Sequence, residues 1–282
     1  MSSLPAKKEL RVTFLGPLAS FSHQAALNLF PGNSSSTTPG KITLLPQPSF
    51  ADVFEAIQSV EADYAVIPFE NSTNGCVVGT LDLLAGHDGR YRDIVVCGEY
   101  YLTVHHCLLV RNEDAASDPS HPENVYPRIS KLYTHPQAWG QCEVFLSKHF
   151  RGVERQNASS TSNAASIVAK SGSTTTPTTG YREGNDGGGG GGCGGGGGGG
   201  GISAAIASSF AATQHNLSIL AANIEDRADN TTRFLVLRNV NNEKTRGGEG
   251  DFYPTTSASS SLFSTTTPTT SCQCLATSRG GL

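Results

Sequence analysis

Hydroxyl and amide side chains gather in a few short clusters along this 282-residue chain: Ser20-Phe21-Ser22, Glu70-Asn71-Ser72, Thr103, Thr134 with Gln141 about two helical turns on, Ser160-Thr161, and Thr231-Thr232-Arg233. Apart from Glu70 and Arg233 these are neutral groups, whose chemistry is to donate and accept hydrogen bonds. The clusters sit at strand ends, and loops leaving strand ends are where open α/β sheets bind ligands. Taken singly, each has a plainer reading. Ser20, Ser22, Ser49 and Thr134 have the residue type of helix N-caps, Glu70 reads as a solvated loop carboxylate, and Arg233 as the partner in a surface ion pair. Cysteine chemistry is not indicated. Cys76, Cys97, Cys107, Cys142 and Cys193 are isolated, and Cys272-Gln273-Cys274 has a spacing that neither zinc sites nor redox dithiols commonly use. Reduced thiols, no metal and no cofactor are expected.

The elements that must position these groups alternate from about Glu9 to Lys170 between short apolar runs and helix-period segments, the pattern of an α/β protein with largely parallel strands. Val12 to Leu15 reads as a strand, Gly16-Pro17 as a turn, and Ser20 or Ser22 as the cap of a helix that Pro31-Gly32 ends. Ser49 and Asp52 form a capping-box-like pair ahead of Val53, Phe54 and Ile57 at helical spacing. Tyr64 to Phe69 is a buried strand, its C-terminal loop is Glu70 to Gly75, and a helix follows near Thr80 to Leu84. A strand around Leu102 to Val110 opens a second lobe. Ile129 to Tyr133 is its next strand, with Thr134 as N-cap and Ala138, Trp139, Cys142, Phe145 and Leu146 on one helical face. A short Ala-rich helix spans Ala164 to Lys170; after an interruption come Ala204 to Ala207, a helix over Ser208 to His215, Leu217 to Leu220, and a last strand, Arg233 to Leu237.

Composition removes several function classes. Lys plus Arg number 20 against 24 Asp plus Glu, a net charge of −4, without the basic excess that phosphate neutralisation uses; no nucleic-acid partner is expected. No apolar run approaches the ~20 residues of a membrane-crossing helix, and the first ten residues lack the apolar core of a secretory signal, so no membrane partner and a cytoplasmic location are expected. Of 32 glycines, 14 lie between Gly187 and Gly201, interrupted only by Cys193. Ser, Thr, Pro and Gly dominate residues 171–201, which predicts a disordered insertion, and again residues 239–282, which predict a low-complexity tail.

Together and in order, the segments resemble the catalytic region of prephenate dehydratase. The matching runs are Phe14-Leu-Gly-Pro17 with Ser20-Phe-Ser-His-Gln-Ala-Ala26, Ala62-Asp-Tyr-Ala-Val-Ile-Pro-Phe-Glu-Asn-Ser72, His106-Cys-Leu-Leu109, Tyr133-Thr-His-Pro-Gln137 with Gln141-Cys142, Ala204-Ala-Ile-Ala207, and Asn223-Ile-Glu-Asp226 leading to Asn230-Thr-Thr-Arg-Phe-Leu-Val236. The resemblance spans about Arg11 to Leu237. It implies a two-lobed α/β fold like the type II periplasmic binding proteins, with the active site between the lobes: residues 10–101 with 220–238 as one lobe, 102–170 with 202–219 as the other, and 1–9 as an N-terminal tail.

The implied activity is conversion of prephenate to phenylpyruvate with loss of water and carbon dioxide, in phenylalanine synthesis. The Thr of Thr-Arg-Phe is the family's principal catalytic residue, here Thr232. The resemblance makes Ser22, Glu70, Asn71, Ser72, Thr103, Thr134, Gln141, Ser160, Thr161 and Arg233 the substrate-binding set, with helix N-termini at Ser22, Thr134 and Ser162 offering N–H groups to carboxylates. Arg233 either forks onto a carboxylate or braces its strand. Ala19-Ser20 replaces the family's Gly-Thr, and Thr134 replaces a more usual Ser. The family usually carries a C-terminal ACT domain that binds phenylalanine; only Ser260 to Ser264 resembles its opening strand, and the 18 residues beyond are too few for a complete one. Truncation, a misread gene segment and loss of the usual feedback all remain open, and a homodimer is admitted. The competing readings are an arogenate dehydratase, a non-catalytic solute-binding protein of the same fold, and an inactive product of a damaged gene.

Overall fold

A computed structural model describes residues 9–31, 41–86, 89–116, 121–171 and 201–245. Most of the expected insertion and tail, residues 172–200 and 246–282, lies outside the described residues, as do residues 1–8 of the N-terminal tail.

The first lobe is built on strands β1 (Leu10–Leu15), β2 (Ile42–Gln47), β3 (Tyr64–Asn71), β4 (Gly75–Cys76) and β5 (Ile94–Thr103), with helices α1 (Phe21–Leu29), α2 (Phe50–Gln58) and α3 (Val78–Ala85) between them. β1 lies between β2 and β3, parallel to both. Its Val12, Thr13 and Phe14 are all fully buried, because helices cover both faces of the sheet. Ala25, Ala26 and Leu29 of α1 close one face over Phe14 and Val66, while Val53, Phe54 and Ile57 of α2 close the other over Ala65 and Ile67. Both helices start where a serine satisfies an orphan N–H: Ser20 Oγ accepts from His23, and Ser49 Oγ from Asp52, each at 3.2 Å. Ser20, not Ser22, caps α1. The Ala19-Ser20 departure leaves the turn in place, with Ala19 at φ +65°, a left-handed conformation that costs a residue with a Cβ about 1–2 kcal/mol.

The second lobe holds β6 (Cys107–Arg111), α4 (Asn112–Ala115), a 3-10 turn (Pro122–Arg128), β7 (Ile129–Thr134), α5 (Pro136–Gln141), α6 (Glu143–His149), β8 (Glu154–Asn157), α7 (Thr161–Lys170), β9 (Ile202–Ala207), α8 (Ser209–His215) and β10 (Leu217–Ala221). Its sheet order is β10-β6-β9-β7-β8, with β6 antiparallel to its neighbours. The expected helical face from Ala138 to Leu146 is split at Cys142 into α5 and α6. Ala138, Cys142 and Leu146 are nonetheless all buried. Thr134 ends β7 instead of capping α5; His135 is the cap, its Nδ1 accepting from Gln137 N–H at 3.3 Å.

The chain then returns. β11 (Thr231–Asn239) enters the first sheet between β3 and β5, antiparallel to both, giving the order β2-β1-β3-β11-β5 with β4 beside β3. Burying Phe234, Leu235, Val236 and Leu237 contributes roughly 1.5–3 kcal/mol each, so the second lobe is anchored to the first by a strand in the middle of its sheet. The ladders carry Leu102 and Thr103 in the first sheet and Leu220 and Ala221 in the second. Each is a displacement of two residues from the expected boundary. It arises because apolar alternation runs through Leu102 to Val110 without showing that residues 104–106 change sheets. The two crossovers are joined: Val104 N–H donates to Asn230 O at 2.7 Å, and Ile224 N–H to His106 O at 3.0 Å. The result is a two-lobed α/β fold, one sheet to each lobe, joined by two crossover segments. Among the described residues no helix is long and apolar enough to cross a membrane.

Candidate active site between the lobes

β3 ends beside the start of β11 at the crossover, and there Asn71 sets the geometry. The backbone N–H groups of Thr73 and Asn74 donate to Asn71 Oδ1 at 3.0 and 2.9 Å. An N–H can only donate, so the opposite side of the amide must be Nδ2, which reaches Asn230 Oδ1 at 2.9 Å and Thr232 Oγ1 at 3.0 Å. Thr232 Oγ1 is therefore an acceptor toward Asn71. Among the described residues its own proton has no acceptor, and the residue is half-buried. A hydroxyl that accepts a hydrogen bond is polarised into a better donor.

The other expected residues separate into those at this corner and those occupied elsewhere. Ser72 closes the β3–β11 ladder: its N–H donates to Thr231 O at 2.9 Å, its Oγ accepts from Thr231 N–H at 2.9 Å, and it donates to Asp229 O at 3.4 Å. Glu70 stands opposite Arg233 in the ladder and is exposed; Thr103 stands opposite Thr231. Arg233 points to the sheet, with Nε donating to Glu99 Oε2 at 2.9 Å and its guanidinium over the rings of Phe69 and Tyr101 at 5.3 and 5.9 Å. Of the two sequence readings, bracing the strand is the one this arrangement performs. Thr134 is fully buried, and its hydroxyl donates to Ile206 O at 2.7 Å. Ser160 caps α7 by accepting from Asn163 N–H at 3.0 Å, and Thr161 follows as the first helical residue. Ser22 is buried in the first turn of α1, close to where Ser162 Oγ donates across the lobes to Leu18 O at 2.7 Å. No hydrogen bond ties Ser22, Thr103, Ser160 or Thr161 to the Asn71–Thr232 pair.

Gln141 of the second lobe lines a cavity of about 200 Å³ beside this corner, which Asn71 and Thr232 themselves do not line. Its other lining residues are Thr73, Gly140, Asn230 and residues 225–227 of the crossover. His106 Nε2 lies 2.7 Å from Gln141 Oε1, and its Nδ1 is buried without a partner. An orphan acceptor costs less than an orphan donor, so the proton sits on Nε2 and the Gln141 amide presents its NH2 away from His106. Burial, partly offset by that hydrogen bond, holds the His106 pKa below the usual histidine value, so the ring is neutral at pH 7.

The carboxylates of the cavity wall are already engaged. Burial opposes the charge on Glu225, but hydrogen bonds from His105 Nδ1 at 2.6 Å and His106 N–H at 2.8 Å outweigh it and hold its pKa below the usual range. Asp226 Oδ1 accepts from Val144 N–H at 3.0 Å, and Arg227 pairs with Asp229. Burial pushes the Cys97 thiol up to about 11 and raises Cys107 and Cys142 as well, so these three are protonated near neutral pH; Cys76 on β4 is exposed. Asn230 and Thr73 were not among the expected site residues, although Asn230 begins the matching run that ends in Thr232-Arg233-Phe234; a polar residue two places before the expected catalytic one was the available signal.

The fold and site define a two-lobed α/β protein with a hydroxyl oriented by a neighbouring amide at the junction of its lobes. Residues 12–185 and 198–242 match the sequence profile of the prephenate dehydratase family, and the chain belongs to that family. It is 34% identical over 238 residues to the bifunctional chorismate mutase/prephenate dehydratase of Pseudomonas aeruginosa, covering 84% of this chain and 51% of that protein. Against the prephenate dehydratase of Bacillus subtilis it is 30% identical over 228 residues, 81% of this chain and 64% of the other. The crystal structure of the Arthrobacter aurescens prephenate dehydratase in complex with L-Phe superposes with a TM-score of 0.58 at 24% identity, covering 82% of this chain and 60% of that one, and shows the shared fold. The chain spans about half the length of several curated relatives that it matches.

Proposed function

We propose that this chain is a carbon–oxygen lyase that converts prephenate to phenylpyruvate, water and carbon dioxide, and so serves phenylalanine synthesis in the cytoplasm. The observation that carries the reading is the Thr232 hydroxyl, held as an acceptor by Asn71 and left with a free proton at the inter-lobe corner. Prephenate carries two carboxylates and a ring hydroxyl. When the ring carboxylate departs as carbon dioxide, its bonding pair completes the aromatic ring as the ring C–O bond breaks, and the departing hydroxide takes up a proton to become water. Aromatisation supplies the driving force, so little acid strength is required of the donor. Thr232 donates a hydrogen bond, or its proton, to the leaving oxygen, and most of the effect comes from orientation fixed before the reaction begins.

Asn71 is then a positioning residue for Thr232, and Gln141 a neutral donor to the substrate. Ser72, Thr134, Ser160 and Arg233 hold the strands and helix ends that frame the cleft. Ser22, Glu70, Thr103 and Thr161 remain candidate substrate contacts, and a homodimer is the proposed assembly. No step requires a cofactor. The test is phenylpyruvate formation at mildly alkaline pH, where spontaneous acid breakdown of prephenate is slow, with arogenate supplied in parallel. Turnover of prephenate with the higher kcat/KM supports the reading; a preference for arogenate reassigns the substrate. A folded protein that turns over neither defeats the assignment and leaves the solute-binding alternative.

A further inference from the structure

Asn230 is 1% exposed, lines the inter-lobe cavity, and its Nδ2 is a buried donor without a partner. The orientation of this amide is settled by its neighbours. Asn71 presents a donor to it, so the atom on that side is Oδ1, which also accepts from Thr73 Oγ1 at 3.3 Å. Nδ2 is consequently turned away from Asn71 and Thr73. Leaving such a group unpaired costs a folded chain several-fold to more than a hundredfold in its folding equilibrium, and native proteins rarely keep one without a reason. Gln141 lines the same cavity, and because His106 takes its Oε1 its NH2 is turned away from that ring. Two amides whose NH2 groups have no hydrogen-bond partner among the described residues, one from each lobe's edge, therefore line one cavity, while Glu225, Asp226 and Arg227 around it are engaged with protein groups.

We propose that Asn230 is a substrate-binding residue whose Nδ2–H donates to a carboxylate oxygen of the substrate, pairing with Gln141 across the cleft. The inference rests on the dehydratase reading and extends it: Asn230 has two faces with different tasks. Oδ1 fixes Asn71 and through it Thr232, whereas Nδ2 meets the ligand. A neutral donor suits this position because a carboxylate accepts a charge-assisted hydrogen bond from it without a buried cation having to be desolvated.

The replacement Asn230→Asp separates the two tasks. One carboxylate oxygen still accepts from Asn71 and Thr73, so Thr232 keeps its orientation, while the other meets the substrate carboxylate as an anion. KM for prephenate should rise on the order of 10- to 100-fold while kcat stays within about threefold. Should the Asp variant fail to fold, the side-chain NH2 resonances of Asn230 are followed instead in isotopically labelled Thr232→Val protein, which is expected to hold prephenate with little turnover. They should move downfield and exchange more slowly with water as prephenate is added. A folded Asn230→Asp enzyme with wild-type KM, or resonances unmoved at saturating prephenate, overturns the proposal. A wild-type protein that neither binds nor converts prephenate overturns the dehydratase reading instead, which keeps the two failures distinct.

Discussion

Thr232→Val is the most direct perturbation of the catalytic reading, because valine keeps the branched shape suited to β11 and removes only the hydroxyl. Two effects follow, and their sizes differ enough to be separated. For folding, Asn71 Nδ2 loses the acceptor at 3.0 Å but keeps Asn230 Oδ1 at 2.9 Å and Thr231 O at 3.4 Å. The position is half-buried, so the loss should be about 0.5–1.5 kcal/mol. For chemistry, the only oriented donor to the leaving oxygen in this reading disappears, which should lower kcat by roughly 10²- to 10³-fold, or about 3–4 kcal/mol. Initial rates of phenylpyruvate formation at saturating prephenate, read from the product's absorbance in alkali, give kcat; a thermal melt of the same sample gives the folded fraction. Thr232→Ser restores the hydroxyl and should return kcat to within about tenfold of wild type. A folded Val variant with kcat within about threefold of wild type would refute the donor role. A rise in KM at unchanged kcat would show that Thr232 only binds.

Arg233→Gln should lower stability by about 1–2 kcal/mol through loss of the Glu99 pair and the stacking on Phe69 and Tyr101, with KM within about threefold of wild type; a KM rise of about tenfold or more would place the guanidinium on a substrate carboxylate after all. Gln141→Leu leaves the His106 Nε2–H without its acceptor in a residue 1% exposed, and urea unfolding should show a loss of about 1–3 kcal/mol; an unchanged midpoint would contradict the pairing. Burial holds His23 and His106 below the ordinary histidine pKa of 6.5, so the unfolded chain protonates first as pH falls. Their stabilising contribution is present above that value and is lost as pH falls below it toward the folded-state pKa. Urea midpoints at about pH 7.5 and 5.5 should therefore decline, and a midpoint insensitive to pH across that window would count against buried neutral rings.

Local signals in the chain were legible where their cause is local. The serine caps at Ser20 and Ser49, the strand over Tyr64 to Phe69 and the helix over Phe50–Gln58 follow from spacings of three or four residues and from hydroxyls that satisfy the next N–H groups. β2 escaped the pattern because Pro46 interrupts it, and a strand containing proline survives at a sheet edge, which is where β2 lies. Thr134 has the residue type of a cap but ends a strand, because Ile206 O on the neighbouring β9 takes its hydroxyl and His135 supplies the cap one residue later. Arg233 shows the same limit: its type permits a substrate carboxylate, and only the position of Glu99 on β5 shows which carboxylate of the chain it pairs with.

By itself the sequence determined the α/β class, the order of most elements and the family, since periodicity, caps and collinear motifs are carried by neighbouring residues. The tertiary structure alone decided how the residues of the candidate site come together. Asn71 and Thr232 stand 161 residues apart, and they meet because β11 crosses back from the second lobe and pairs antiparallel with β3. Which strand a returning chain joins is settled by the burial of Phe234 to Leu237 on both faces of a sheet whose other members lie far away in sequence. No local propensity encodes that choice, nor does any encode the proton it leaves free on Thr232.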